Sequence, residues 1–143
     1  MKVTMLLADA AQVAEGKLNV LGGGWALTGP DPAPTAIAMY IDVPWDQANV
    51  RHNWALALLD SDGHPVTMED ERVTIQGGFE VGRPPGLTPG TPIGAAIALN
   101  LGPLPLAAGR YEWRLTIGTE SRDEWRLPFS VRQGALPAAA SEG

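Results

Sequence analysis

The same four residues occur twice near the C-terminus, as Glu112-Trp113-Arg114-Leu115 and as Glu124-Trp125-Arg126-Leu127. Charged and apolar side chains alternate in both, which suits a strand with one dry and one wet face. Tyr111, Trp113, Leu115 and Ile117 share one parity, and Trp125, Leu127, Phe129 and Val131 share the other strand's apolar parity. The pair reads as an antiparallel hairpin turning through Gly118-Thr119-Glu120-Ser121. Charge suggests its register. Setting Trp113 opposite Trp125 pairs Glu112 with Arg126 and Arg114 with Glu124, whereas a two-residue slip opposes Arg114 to Arg126. Cross-strand pairs are each worth roughly 0.2–1 kcal/mol, and like charges opposed are unfavourable. The Trp–Trp register is therefore expected.

The rest of the chain carries similar signals. Thr35 to Val43 alternates, with Ile37, Met39, Ile41 and Val43 on one side, and Ile93 to Leu101 does the same. Strands are also expected over Val3–Ala8, Leu18–Leu21, Trp25–Thr28, Arg51–Leu59, Pro65–Met68 and Val73–Val81, the last with a bulge at Gly77-Gly78. Asp60-Ser61-Asp62-Gly63 is a hairpin turn. The proline-rich segment Arg83 to Pro92 is an extended loop, most simply a crossover between sheets. About nine strands with frequent turn signals indicate an all-β fold: a single antiparallel β-sandwich of immunoglobulin-like, Greek-key type over residues 1–132. A small-residue, disordered tail is expected over 133–143. Gly109-Arg110-Tyr111, entering the next-to-last strand, fits either a tyrosine corner or a core Tyr after a turn.

A chain of 143 residues is long enough to bury a core without staples, and it has no cysteine. Disulfides, thiolate zinc sites and thiol nucleophiles are excluded together. The net charge of −6, with its basic residues scattered, argues against nucleic acid and anionic membranes. No apolar run reaches the roughly 20 residues of a membrane helix, and the N-terminal run stops at Asp9, so a cytoplasmic location is expected.

Catalytic constellations are weak. Gly22-Gly23-Gly24-Trp25 resembles the oxyanion segment of some esterases, yet no serine stands in a Gly-x-Ser-x-Gly elbow. A bulge or a close strand approach explains those glycines better. Asp60, Asp62 and His64, with Glu69 to Glu71 downstream, leave a calcium-dependent domain as a minor reading, although the glycine spacing is not that of an EF-hand. His52 and His64 propose no zinc site. Glu112 and Glu124, each with a cross-strand arginine expected, read as surface ion pairs rather than a glycosidase dyad. No enzyme activity and no cofactor are expected.

Two surfaces stand out. Ala36, Ala38 and Tyr40, Ala55, Ala57 and Leu59, and Ala96 and Ala98 make the non-core parity of three strands small or apolar. A solvated sheet face carries Lys, Glu and Thr instead. If the three strands are neighbours, these positions form a flat patch for a protein partner or a second copy, unless another part of the chain covers it. Trp45, in Pro44-Trp45-Asp46-Gln47, is either a recognition anchor at one end of the fold or a cap on its core.

The stretches Leu6 to Val13, Gly16-Lys17-Leu18 and Leu21 to Trp25 resemble a family of small uncharacterised bacterial proteins. So do Pro44 to Asn49, Val81 to Gly86 and the final hairpin. That resemblance implies a compact all-β domain with no established activity and assigns no functional residue. The leading expectation is a non-catalytic protein acting through protein–protein contacts, plausible as a homo-oligomer. The alternative is a small-molecule or carbohydrate-binding module centred on Trp45.

Overall fold

The computed structural model describes residues 1–134, so most of the tail expected over 133–143 lies outside the described residues. Twelve strands are present among them, with no α-helix. They are β1 (Lys2–Ala8), β2 (Ala10–Ala14), β3 (Lys17–Leu21), β4 (Leu27–Thr28), β5 (Thr35–Val43), β6 (His52–Asp60), β7 (Thr67–Met68), β8 (Glu71–Arg72), β9 (Thr74–Phe79), β10 (Ile93–Leu101), β11 (Gly109–Ile117) and β12 (Glu120–Val131). A three-stranded sheet runs β1-β5-β10 and a five-stranded sheet runs β4-β12-β11-β6-β9. Two further pairs, β2-β3 and β7-β8, stand alone. Pairing is antiparallel except where β4 joins β12. The strands not expected are β2, whose residues are small, and the two-residue β8.

One apolar core lies between the two main sheets. Ile37, Met39, Ile41 and Val43 of β5 meet Leu56 and Leu58 of β6 and Trp113 and Leu115 of β11 there. This is the burial that period two in those strands demands. The proline-rich segment carries the chain from β9 in the larger sheet to β10 in the smaller one, the crossover expected of it. Tyr111 donates its hydroxyl to the Ala107 carbonyl at 2.7 Å and stacks on Phe129. Of its two readings, this geometry selects the corner.

The hairpin register differs from expectation. Trp113 pairs with Leu127 rather than Trp125, and Arg114 faces Arg126. The cause is parity. A two-residue turn at Gly118-Thr119 pairs Ile117 with Glu120, odd against even. The core needs Trp113, Leu127, Tyr111 and Phe129 inward together, odd against odd. An odd number of extra residues reconciles the two: Arg122 to Trp125 all stand opposite Leu115, four against one. Trp125, the last residue of the bulge, is fully buried in the same core as Trp113. Its indole Nε1 has no hydrogen-bond partner among the described residues, an unfavourable term of roughly 1–3 kcal/mol. Glu112 relieves the opposed arginines, with Oε2 lying 2.7 Å from Arg114 Nη2 and 3.7 Å from Arg126 Nε.

Gly77 and Gly78 form no bulge, since β9 keeps continuous register with β6 and neither has positive φ. A Cβ on Gly77 would meet Trp54 Cζ2 at 2.5 Å, and one on Gly78 would meet the Arg51 guanidinium at 2.6 Å. These glycines admit neighbouring side chains. Gly23 does likewise for Leu6 and Val20, the close approach expected of that segment.

The segment after β1, where no strand is expected from the sequence, is strand β2. With β3 it makes a ribbon turning at Glu15-Gly16, both at positive φ. The ribbon folds back on the outer face of the small sheet, where Ala11 joins Ala8, Ala36 and Ala38 in a second core with Leu18 alongside. Alanines make this possible by letting one backbone approach another. Asn100 of β10 latches it: the Ala11 N–H donates to Oδ1 at 3.2 Å and Nδ2 donates to the Ala11 carbonyl at 2.8 Å.

Candidate functional site

The alanine positions do not form one patch. Ala38, Tyr40, Ala96 and Ala98 lie on the outer face of the small sheet, with Tyr40 paired to Ala96 and Ala38 to Ala98. Ala38 is buried beneath the ribbon, Ala96 and Ala98 are half-buried, and Tyr40 is exposed. Ala55, Ala57 and Leu59 belong to β6 in the five-stranded sheet. There Ala55 pairs with Thr116 and Gln76, and Ala57 pairs with Arg114 and Thr74. Leu59 is buried and bridges to Pro65. The shared parity was legible; the assignment of strands to different sheets was not.

Trp45 has a more concave setting. Pro44 ends β5 in an extended conformation and starts a 3₁₀ turn over Trp45–Gln47, closed by the Gln47 N–H donating to the Pro44 carbonyl at 2.9 Å. From the start of the proline-rich loop, Arg83 places its guanidinium 4.6 Å from the indole centroid. Its Nη2 also donates to the Trp45 carbonyl at 2.8 Å. His52 Nε2 lies 2.9 Å from the Gln47 carbonyl, which can only accept, so this nitrogen carries the proton. The Asn49 N–H donates to the Val81 carbonyl at 2.7 Å. The turn is thus held on both sides, and the indole with it.

Trp45 lines an open groove of ≈ 890 Å³ at the end of the molecule where β1 begins and β5 ends. Met1, Val3, Pro44 and Pro92 give it apolar wall, and Lys2, Asp42, Asp46, Arg122 and Glu124 line it with charge of both signs. Arg122 binds Glu120 at 2.5 Å and lies 5.3 Å from the Trp125 ring, so the hairpin bulge supplies this rim. Sequence reasoning found Trp45 but missed Arg122 and Glu124, which reach the groove only because of the bulge. At the opposite end, Leu7, Trp25, Leu104, Leu106, Trp113 and Phe129 help enclose a cavity of only ≈ 40 Å³. Small-molecule pockets run to about 300–1,000 Å³, which the groove alone of these two reaches.

Asp60, Asp62 and His64 do converge, with candidate ligand atoms within 4.8 Å of one another. Asp60 Oδ1, however, accepts the backbone N–H groups of Asp62 and His64, each at 2.9 Å, as an aspartate organising its own turn does. Glu69 to Glu71 are not in that group. No helix among the described residues is long and apolar enough to cross a membrane.

Strand content and pairing define an all-β protein built on antiparallel sheets. The chain belongs to the family of unknown function DUF6941, whose model matches residues 3–132. That span takes in the Gly22 to Trp25 segment, the Trp45 turn and the final hairpin, all stretches that carried the resemblance. No curated protein matches the chain.

Proposed function

We propose that the two facing sheets form an immunoglobulin-like, Greek-key β-sandwich, and that the protein is a non-catalytic binding module with its ligand site in the Trp45 groove. The tyrosine corner supports the first part. The observation that carries the second is the fixing of Trp45 by Arg83. An indole held in place at a groove wall spends little entropy on binding, and preorganisation is a main source of affinity. The ring that Arg83 holds also lines the groove. Apolar wall beside carboxylates, an ammonium and a guanidinium suits a small polyhydroxylated molecule such as a sugar. Its C–H faces would pack on the ring while its hydroxyls meet the charges.

Tryptophan fluorescence titrated against a panel of mono- and oligosaccharides tests this. Saturable change with at least one sugar, lost in Trp45→Ala and weakened in Arg83→Met, is the expected result. A silent panel, or a titration unaltered by Trp45→Ala, refutes it.

A further inference from the structure

The geometry points to a second sugar subsite at Tyr40, on the outer face of the small sheet, which makes the groove a site for an oligosaccharide rather than for a single ring. The inference rests on the Trp45 reading and extends it.

Register pairs Lys2 with Asp42, Thr4 with Tyr40, Asp42 with Gly94 and Tyr40 with Ala96, so these residues share one face. It is the outer face, since Ile41 and Val43, of the other parity, are fully buried in the core. The ribbon packs on Ala36, Ala38 and Ala98 at the far end of that face and leaves Thr4 and Tyr40 exposed. At the near end Lys2 and Asp42 line the groove, and Tyr40 is the next outward residue along β5. At ~3.3 Å per residue, its backbone stands about 7 Å beyond that of Asp42.

The ring is laid down on the sheet. A Cβ on Gly94 would stand against the Tyr40 hydroxyl and Cζ, with Cε1 at 3.0 Å, so the phenol lies across β10 over bare backbone. Any side chain at that position would lift it. Thr4 and Ala96, its partners on the two neighbouring strands, are short, and Tyr40 keeps 40% of its surface in solvent. An exposed ring resting on a sheet offers a platform on which the C–H face of a sugar can pack with little loss of side-chain freedom.

Spacing and chemistry select the occupant. β5 is extended as far as Val43, and Pro44 continues it with φ −57° and ψ 145°. Four steps of ~3.3 Å put about 13 Å between the backbones of Tyr40 and Pro44, with Trp45 next. That span exceeds one pyranose and suits a short chain of them. Between the two aromatic residues stand Lys2 and Asp42, a donor and an acceptor, neither held in a salt bridge among the described residues. Hydroxyl groups, which donate and accept, can meet both.

Calorimetric titration with glucose, galactose, mannose and N-acetylglucosamine, each from monomer to tetramer, tests this. For at least one sugar the tetramer should bind about tenfold more tightly than the monomer. Tyr40→Ala and Gly94→Ala should each bring the tetramer's affinity down to the monomer's. Gly94→Ala should do so without lowering the melting temperature, which separates loss of the platform from loss of the fold. Monomer binding that depends on Trp45, with no gain in longer chains or with a gain that survives either substitution, overturns the Tyr40 subsite and leaves the Trp45 site standing. Absence of binding throughout the series overturns both.

Discussion

Two glycines on different sheets face superficially similar clashes, and their alanine variants should behave in opposite ways. Gly77 pairs with Trp54, and a Cβ there would stand 2.5 Å from Cζ2, 2.8 Å from Cε2 and 3.0 Å from Nε1. The indole is 6% exposed and belongs to the main core, so it has no free direction in which to retreat. Overpacking of this kind costs about 1–3 kcal/mol, against about 0.5–1 kcal/mol that Ala recovers through a less flexible unfolded chain. Gly77→Ala should therefore lose about 1–2 kcal/mol. At roughly 2.1 cal/mol/K per residue over 143 residues, each kcal/mol moves the melting temperature by about 3 °C. The expected drop is about 3–6 °C. Gly94 sits under the Tyr40 ring, and its Cβ would overlap the hydroxyl more severely still. Tyr40, however, is 40% exposed and can swing into solvent. Gly94→Ala should leave the melting temperature unchanged or raise it by up to about 3 °C. Thermal melts followed by circular dichroism in dilute protein, with urea midpoints alongside, make the comparison. A Gly77→Ala protein as stable as wild type, or a Gly94→Ala protein that falls as far, would refute the claim that rigidity of the neighbour decides the sign.

Three other perturbations have defined outcomes. Tyr111→Phe removes the bond to the Ala107 carbonyl but keeps the stack on Phe129, so a urea midpoint should report a loss of about 0.5–1.5 kcal/mol. Glu112→Gln leaves Arg114 facing Arg126 without their shared carboxylate; it should cost about 0.2–1 kcal/mol at low salt, a difference that shrinks in 1 M NaCl as screening shortens to about 3 Å. Asp60→Ala deprives the Asp62 and His64 N–H groups of their acceptor and should lower stability by about 1 kcal/mol, equally in calcium and in chelator.

Much of the architecture was legible because alternation survives wherever one face is dry. Thr35 to Val43 and Ile93 to Leu101 coincide with β5 and β10 to the residue. The hairpin's register was not legible. Pairwise charge terms of a fraction of a kcal/mol were weighed, whereas burial of two indoles and a tight turn at Gly118 decided the outcome. Strand β2 escaped because Ala10 to Ala14 offers only Val13 as a larger apolar side chain to mark a periodicity, and its dry surface is the alanine face of its own chain. The alanine face itself is plain in the parity of Ala36, Ala38, Ala96 and Ala98. What parity cannot give is the order of strands, so β6 was grouped with β5 and β10 although it sits across the core. At the groove, Trp45 was visible as an isolated loop aromatic. Its partners Lys2, Arg83 and Arg122 come from distant stretches that only the folded chain assembles.

The parity mismatch in the last hairpin also governs which length changes it can absorb. Deleting one residue from Arg122 to Glu124 would bring Glu120 and Leu127 to the same parity, so the turn and the inward indole could both be kept with two extra residues in place of three. Removing two would keep the indole inside and merely shorten the loop of chain that bears Arg122. Because Trp125 continues the alternation of Leu127 and Phe129, length changes here should fall on the segment that bears Arg122 and leave the indole inside.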